Sequence, residues 1–112
     1  MIIAIPVAND KLCMHFGHCD VFKFFEVDKE NKTIVKSTNM EPPPHEPGVL
    51  PKWIAEQGAS LVLAGGIGHR AKQLLAAGGV DVISGVTEPD PDKAVRDYID
   101  GNLAAGANAC NH

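Results

Sequence analysis

This 112-residue sequence predicts an α/β fold: a three-layer sandwich with helices on both sides of a five-stranded mixed sheet. Three observations carry that reading. Two short apolar runs, IIAIPV (2–7) and SLVLAG (60–65), are almost uninterrupted, as expected of strands buried on both sheet faces. Between them lie two β-rich runs separated by a polar turn, the pattern of an antiparallel hairpin. Beyond residue 60, apolar runs alternate with amphipathic stretches, so helical crossovers make the later strands parallel. The expected order is β-β-β-α-β-α-β-α.

Each element has its own local reason. In the first strand Pro6 marks the end or an irregularity, because proline cannot donate to a ladder. VFKFFEV (21–27) is aromatic and β-branched, with Lys23 and Glu26 interrupting opposite faces; DKENK is the turn, and TIVKS (33–37) the solvated outer strand. MEPPPHEPG (40–48), which includes His45, excludes helix and central strand and reads as a loop or lid. Leu50, Trp53, Ile54 and Gln57 then fall at helical spacing, with Pro51 near the start and Gly58 at the end. GIGHRAKQLLAAGG places Ile67, Ala71, Leu74 and Leu75 on one helical face. VDVISG is a further buried strand. In EPDPDKAVRDYIDGNL, Asp90 is the N-cap and Pro91 the first-turn residue, with Val95, Tyr98, Ile99 and Asn102 or Leu103 facing inward. Residues 1–104 are expected to form one domain and 105–112 a flexible tail.

A chain of this length buries roughly 65% of its unfolded surface and needs no disulfide or metal merely to fold. With 45% hydrophobic and 21% charged residues it has an ordinary globular composition. A formal net charge of −4 and dispersed lysines argue against nucleic-acid binding. The apolar start is too short for a membrane span or a signal h-region, so a cytoplasmic protein with no membrane partner is expected. The three cysteines form no C-x-x-C pair and fit reduced thiols in a reducing compartment.

The most unusual stretch is LCMHFGHCDVF (12–22), which places Cys13, His15, His18 and Cys19 within seven residues. A metal site, a catalytic pair and crowded packing are all open for it. Two soft thiolates and two imidazoles suit iron, copper, zinc or metal-sulfide clusters, although the spacing matches no standard zinc module. If the first and fourth strands are adjacent and parallel, their carboxyl ends share an edge, and the loop 9–19 meets GGIGH (65–69). Gly65, Gly66 and Gly68 then allow a ligand to approach backbone N–H groups at a helix start that favours an anion, beside His69. Cys110 and His112 either complete a site or belong to a frayed end.

A Cys-His nucleophile has no orienting third group in view. The topology resembles ribonuclease H, but two-metal nuclease chemistry needs carboxylates on the central strands, and residues 2–7 and 61–64 contain none. No enzymatic activity is expected.

In the order IAIPV, HFGHCDVF, HEPG, GASLVLAGGIGHRA and GVDVISG, the chain resembles the dinitrogenase iron-molybdenum cofactor-binding family, over nearly its whole length except the tail. That family includes nitrogenase cofactor carriers and small stand-alone archaeal and bacterial proteins. The resemblance implies a ribonuclease H-like sandwich and a non-catalytic carrier, scaffold or storage role for an iron-sulfur or molybdenum-containing cluster. The family's His-Phe-Gly segment falls on His15, Phe16 and Gly17, and its glycine turn on Gly65, Gly66 and Gly68. His15 is the first candidate for contact with the cluster. Many relatives carry Arg at the position of His18, which lowers the positive charge offered here; Cys13 and Cys19 compensate by ligation or point to a different cluster. One copy with three cysteines cannot hold a conventional four-cysteine cluster. A monomer or weak homodimer is expected, with cluster-biosynthesis proteins or an ATPase as partners. A regulatory module partnering such an ATPase, with zinc or no metal, and a thiol-dependent enzyme are the competing readings.

Overall fold

The computed structural model describes residues 1–13, 16, 19–44 and 48–103. In chain order the elements are β1 (Ile2–Ala8), β2 (Lys11–Leu12), β3 (Val21–Asp28), β4 (Thr33–Met40), α1 (Val49–Glu56), β5 (Leu61–Leu63), α2 (His69–Ala77), β6 (Asp81–Ile83) and α3 (Pro91–Ile99). Among the described residues they form a mixed α/β fold with three helices and a sheet ordered β4-β3-β1-β5-β6.

Strand β1 is the axis of this sheet. It pairs antiparallel with β3, from Ile2↔Glu26 to Val7↔Val21, and parallel with β5, at Ile3↔Leu61 and Ala4↔Val62. The expected adjacency of the first and fourth predicted strands is therefore present. Its period-two alternation sends Ile3, Ile5 and Val7 to one face, where they meet Phe25, Val27 and the α3 residues Ala94 and Val95. Ala4 faces the other way with Phe22, Phe24 and Val62, against Ile54 of α1 and Leu75 of α2. Burying a side chain such as Ile5 or Phe25 contributes about 2–3 kcal/mol relative to exposure. Apolar residues on both faces of one strand thus hold helices on both sides.

The sheet has six strands among the described residues, not five. The extra strand, β2, pairs with β1 through Val7↔Leu12 and Ala8↔Lys11. Its turn uses Asn9 (φ 54°) and Asp10 (φ 64°), the two left-handed residues that a tight two-residue hairpin requires. A two-residue strand has no periodicity to read, which is why this segment reads as loop in the sequence. Strand β4 also runs to Met40, three residues past the expected end, because Met40 lies opposite Phe22. A register shift opposite Glu26 and Val27 leaves Val35 unpaired and 59% exposed.

Pro6 neither ends β1 nor bends it out of the sheet. In a strand, one residue's N–H and C=O point to the same side. The Pro6 carbonyl accepts from the Cys13 amide at 2.8 Å, on the side where β5 has already stopped. Its missing donor therefore costs no ladder bond.

The helices follow their caps closely. Asp90 caps α3, accepting from the Asp92 amide at 3.1 Å, as expected. Gly58 follows α1 in the left-handed region (φ 86°). Leu74 departs from expectation: it is 36% exposed while Leu75 is fully buried, because the two lie about 100° apart on the helix. Asn102 is exposed, and Leu103 is the residue that packs against the core. Lys23, pointing at the α3 face, pairs with Asp92 at 3.0 Å and lies over the Phe25 ring. No helix among the described residues is long and apolar enough to cross a membrane. The expected tail, 105–112, lies outside the described residues.

Candidate functional site

The parallel strands β1, β5 and β6 open their carboxyl ends along one edge, and both unusual sequence stretches are there. The first, the segment between β2 and β3, is held at three described points. The Cys13 amide donates to the Pro6 carbonyl (2.8 Å), the Phe16 amide to the Gly66 carbonyl (3.0 Å), and the Asp20 amide to the Val7 carbonyl (2.9 Å). The middle bond crosses from the cysteine segment to the glycine turn, so the two motifs share one site.

Phe16 is its anchor. The ring is 5% exposed and meets Phe22 edge-on at 5.7 Å, and Phe22 meets Trp53 in the same way at 5.7 Å. A residue flanked by candidate ligands thus has its side chain in the core. His15, Gly17 and His18 lie outside the described residues.

The glycine turn is braced from the other side as well. The Gly65 carbonyl accepts from the Gly85 amide at 2.7 Å, and the Ala64 carbonyl from the Val86 amide at 3.1 Å. Gly68, in extended conformation, is the N-cap of α2 and provides no side-chain cap. The first turn of α2 has no acidic residue, yet His69 and Arg70 stand in it exposed and Lys72 follows. Cations at the positive end of a helix oppose the macrodipole. Arg70 and Lys72 were absent from the residues singled out by sequence; their placement against this charge rule is the signal that could have found them.

Cys13 is buried and Cys19 half-buried, and neither forms a disulfide among the described residues. Burial, reinforced by the nearness of Cys13 and of the Asp20 carboxylate, pushes the Cys19 thiol up to about 11. It is therefore protonated at neutral pH, the opposite of the lowered pKa that activates a thiol nucleophile. A soft metal ion can still displace that proton. Among the described residues, no group of three or more His, Cys, Asp or Glu side chains is placed to hold a metal ion. The two thiols offer soft donors, and the start of α2 offers helix-terminal amides and the cations Arg70 and Lys72.

Fold and site together define a small α/β protein whose carboxyl edge joins a cysteine loop to a glycine turn. The chain belongs to the dinitrogenase iron-molybdenum cofactor family, whose model matches residues 1–101. It is 27% identical over 106 residues to the uncharacterized protein MJ0580 of Methanocaldococcus jannaschii, covering 92% of this chain and 89% of that one. The crystal structure of PH0822 superposes over the full length of both chains with a TM-score of 0.89 at 29% identity. The apo form of the orange protein from Desulfovibrio gigas shares the fold, with a TM-score of 0.75 over 96% of this chain and 93% of that one, at 22% identity.

Proposed function

We propose that this chain binds and carries an anionic metal-sulfur cluster, iron-sulfur or molybdenum-containing, from a ribonuclease H-like sandwich in the cytoplasm, and that it catalyses no reaction. One observation supports the reading most: the Phe16 to Gly66 hydrogen bond, which joins the segment carrying Cys13 and Cys19 to the glycine turn that leads into α2. The thiols suit the metal of such a cargo, and the amides and Arg70 suit its negative charge. Membership of a family named for the iron-molybdenum cofactor supports the same class of cargo. In this reading Cys13, Cys19 and His15 are the ligands, with His18 and His69 beside them. Two cysteines leave a cluster incompletely ligated, which suits release to a cluster-biosynthesis partner.

The test is anaerobic purification from a cluster-competent host, followed by assay of iron, molybdenum, copper, zinc and acid-labile sulfide together with the visible spectrum. Near-integral metal with sulfide is expected, and its loss on replacing Cys13, His15 and Cys19 together by Ala. Colour and metal that survive that triple replacement would sink the reading.

A further inference from the structure

At the end of the sheet away from the cysteine loop, α3 finishes beside the β3-β4 turn, and a groove of about 380 Å³ opens there. It is lined by Lys32, Thr33, Ile34, Arg96, Ile99 and Asp100. A second hollow of about 240 Å³ shares Ile99 with it and brings Lys29 to its rim. Lys32 and Arg96 against Asp100 leave the groove's own lining at a net charge of +1, with Lys29 on the adjoining hollow, in a chain whose formal net charge is −4. Lys29, Lys32 and Arg96 pair with no carboxylate among the described residues, whereas Lys23, Lys36 and Lys93 do. The nearby Asp28 is engaged by the Asn31 side-chain amide at 2.7 Å. Half-buried Ile34 and Ile99 form an apolar floor between the charges.

We propose that this groove docks an acidic segment of a partner protein, with carboxylates set on Lys32 and Arg96 and an apolar side chain on the Ile34 and Ile99 floor. The charge sign of the lining, opposite to that of the whole chain, selects an acidic partner. An apolar floor framed by polar groups selects a peptide over a simple anion, which has nothing to place on isoleucine. Because the groove and the cysteine loop lie at opposite ends of the sheet, a partner held here leaves the candidate site open. The inference stands whether or not that site carries a cluster.

The experiment titrates the full chain into a fluorescein-labelled, end-capped dodecapeptide of interspersed glutamate, leucine and glycine, read by anisotropy at low salt. Saturable binding is expected, weakened about fivefold or more by Lys32→Glu with Arg96→Glu, and less than twofold by the charge-matched Lys11→Glu with Lys52→Glu. A peptide with lysine in place of glutamate should not bind. If the double reversal disturbs the circular dichroism spectrum, Lys32→Gln with Arg96→Gln replaces it, with a smaller loss expected in the same direction. No binding up to about 1 mM protein, or equal weakening by the control pair, overturns the proposal. So does competition by inorganic phosphate that abolishes binding at constant ionic strength, which would assign a simple anion. Self-association in sedimentation, lost in the Lys32 and Arg96 variant, would assign a second copy and overturn it equally.

Discussion

The amide of Phe16 donates to the carbonyl of Gly66 across 3.0 Å, tying together segments fifty residues apart in the chain. The Phe16 ring, meanwhile, is packed on Phe22. One residue thus closes the site with its backbone and fastens it to the core with its side chain.

Replacing Phe16 by Ala should therefore cost about 3 kcal/mol of stability, through the lost apolar burial and the cavity it leaves. Phe16→Leu, which keeps most of the volume, should cost less than about 1.5 kcal/mol. Urea unfolding followed by Trp53 emission measures both. A Phe16→Ala protein as stable as the wild type would show that the ring does not anchor the loop.

Cys19 should resist alkylation near neutral pH, since burial and Cys13 raise its thiol to about 11. Its reaction rate with iodoacetamide should climb about tenfold per pH unit up to that value, because only the thiolate attacks. Peptide mapping by mass spectrometry follows it site by site. The same shift has a stability consequence. An unfolded thiol ionises near 9.0 and the folded one near 11, so unfolding releases a proton in between, and stability falls as pH rises through that window. Fast modification of Cys19 at pH 7 would contradict the burial argument.

Reversing Arg70 and Lys72 to Glu should weaken retention of an anionic cluster about tenfold, from two lost favourable charges of up to about 1 kcal/mol each at a helix start. Binding of zinc ion alone should be unchanged or tighter. Parallel metal titrations of wild type and variant make the comparison. Equal loss for both cargoes would point to damage of the fold.

The β3-β4 turn should lose a stabilising charge in acid. The Asn31 side-chain and backbone amides, with that of Glu30, hold the Asp28 carboxyl below its usual value. A lowered folded pKa contributes stability above the unfolded value of about 4, and that contribution disappears as pH falls through the folded one. Asp28→Asn should thus be less stable than wild type at pH 7, with the gap closing at pH 2. Thermal melts at both pH values read it, and a gap unchanged at pH 2 would rule the charge out.

Much of this molecule was legible along the chain because its signals are local. The apolar runs of β1 and β5, the Asp90 cap and the proline start of α3 depend on neighbours a few residues away, and each is where the sequence places it. The elements that were missed are tertiary. The two-residue β2 exists because β5 stops early and leaves the far end of β1 unpaired. Met40 joins β4 because Phe22 lies opposite it. Leu74 belongs to the apolar set by residue type, but it lies about 100° round the helix from the fully buried Leu75 and is left at the surface.

The site divides in the same way. The sequence by itself determined which chemistry is offered: soft thiols, imidazoles and side-chain-free turns, all set by residue type and short spacing. The meeting of the cysteine segment and the glycine turn was conditional on strand order in the sequence; the tertiary structure supplied that order and the Phe16 to Gly66 bond, and it alone decided that Phe16 faces the core. The physical reason is that side-chain chemistry is local to each residue. Adjacency instead depends on strand order, and strand order follows from burying both faces of β1 at once.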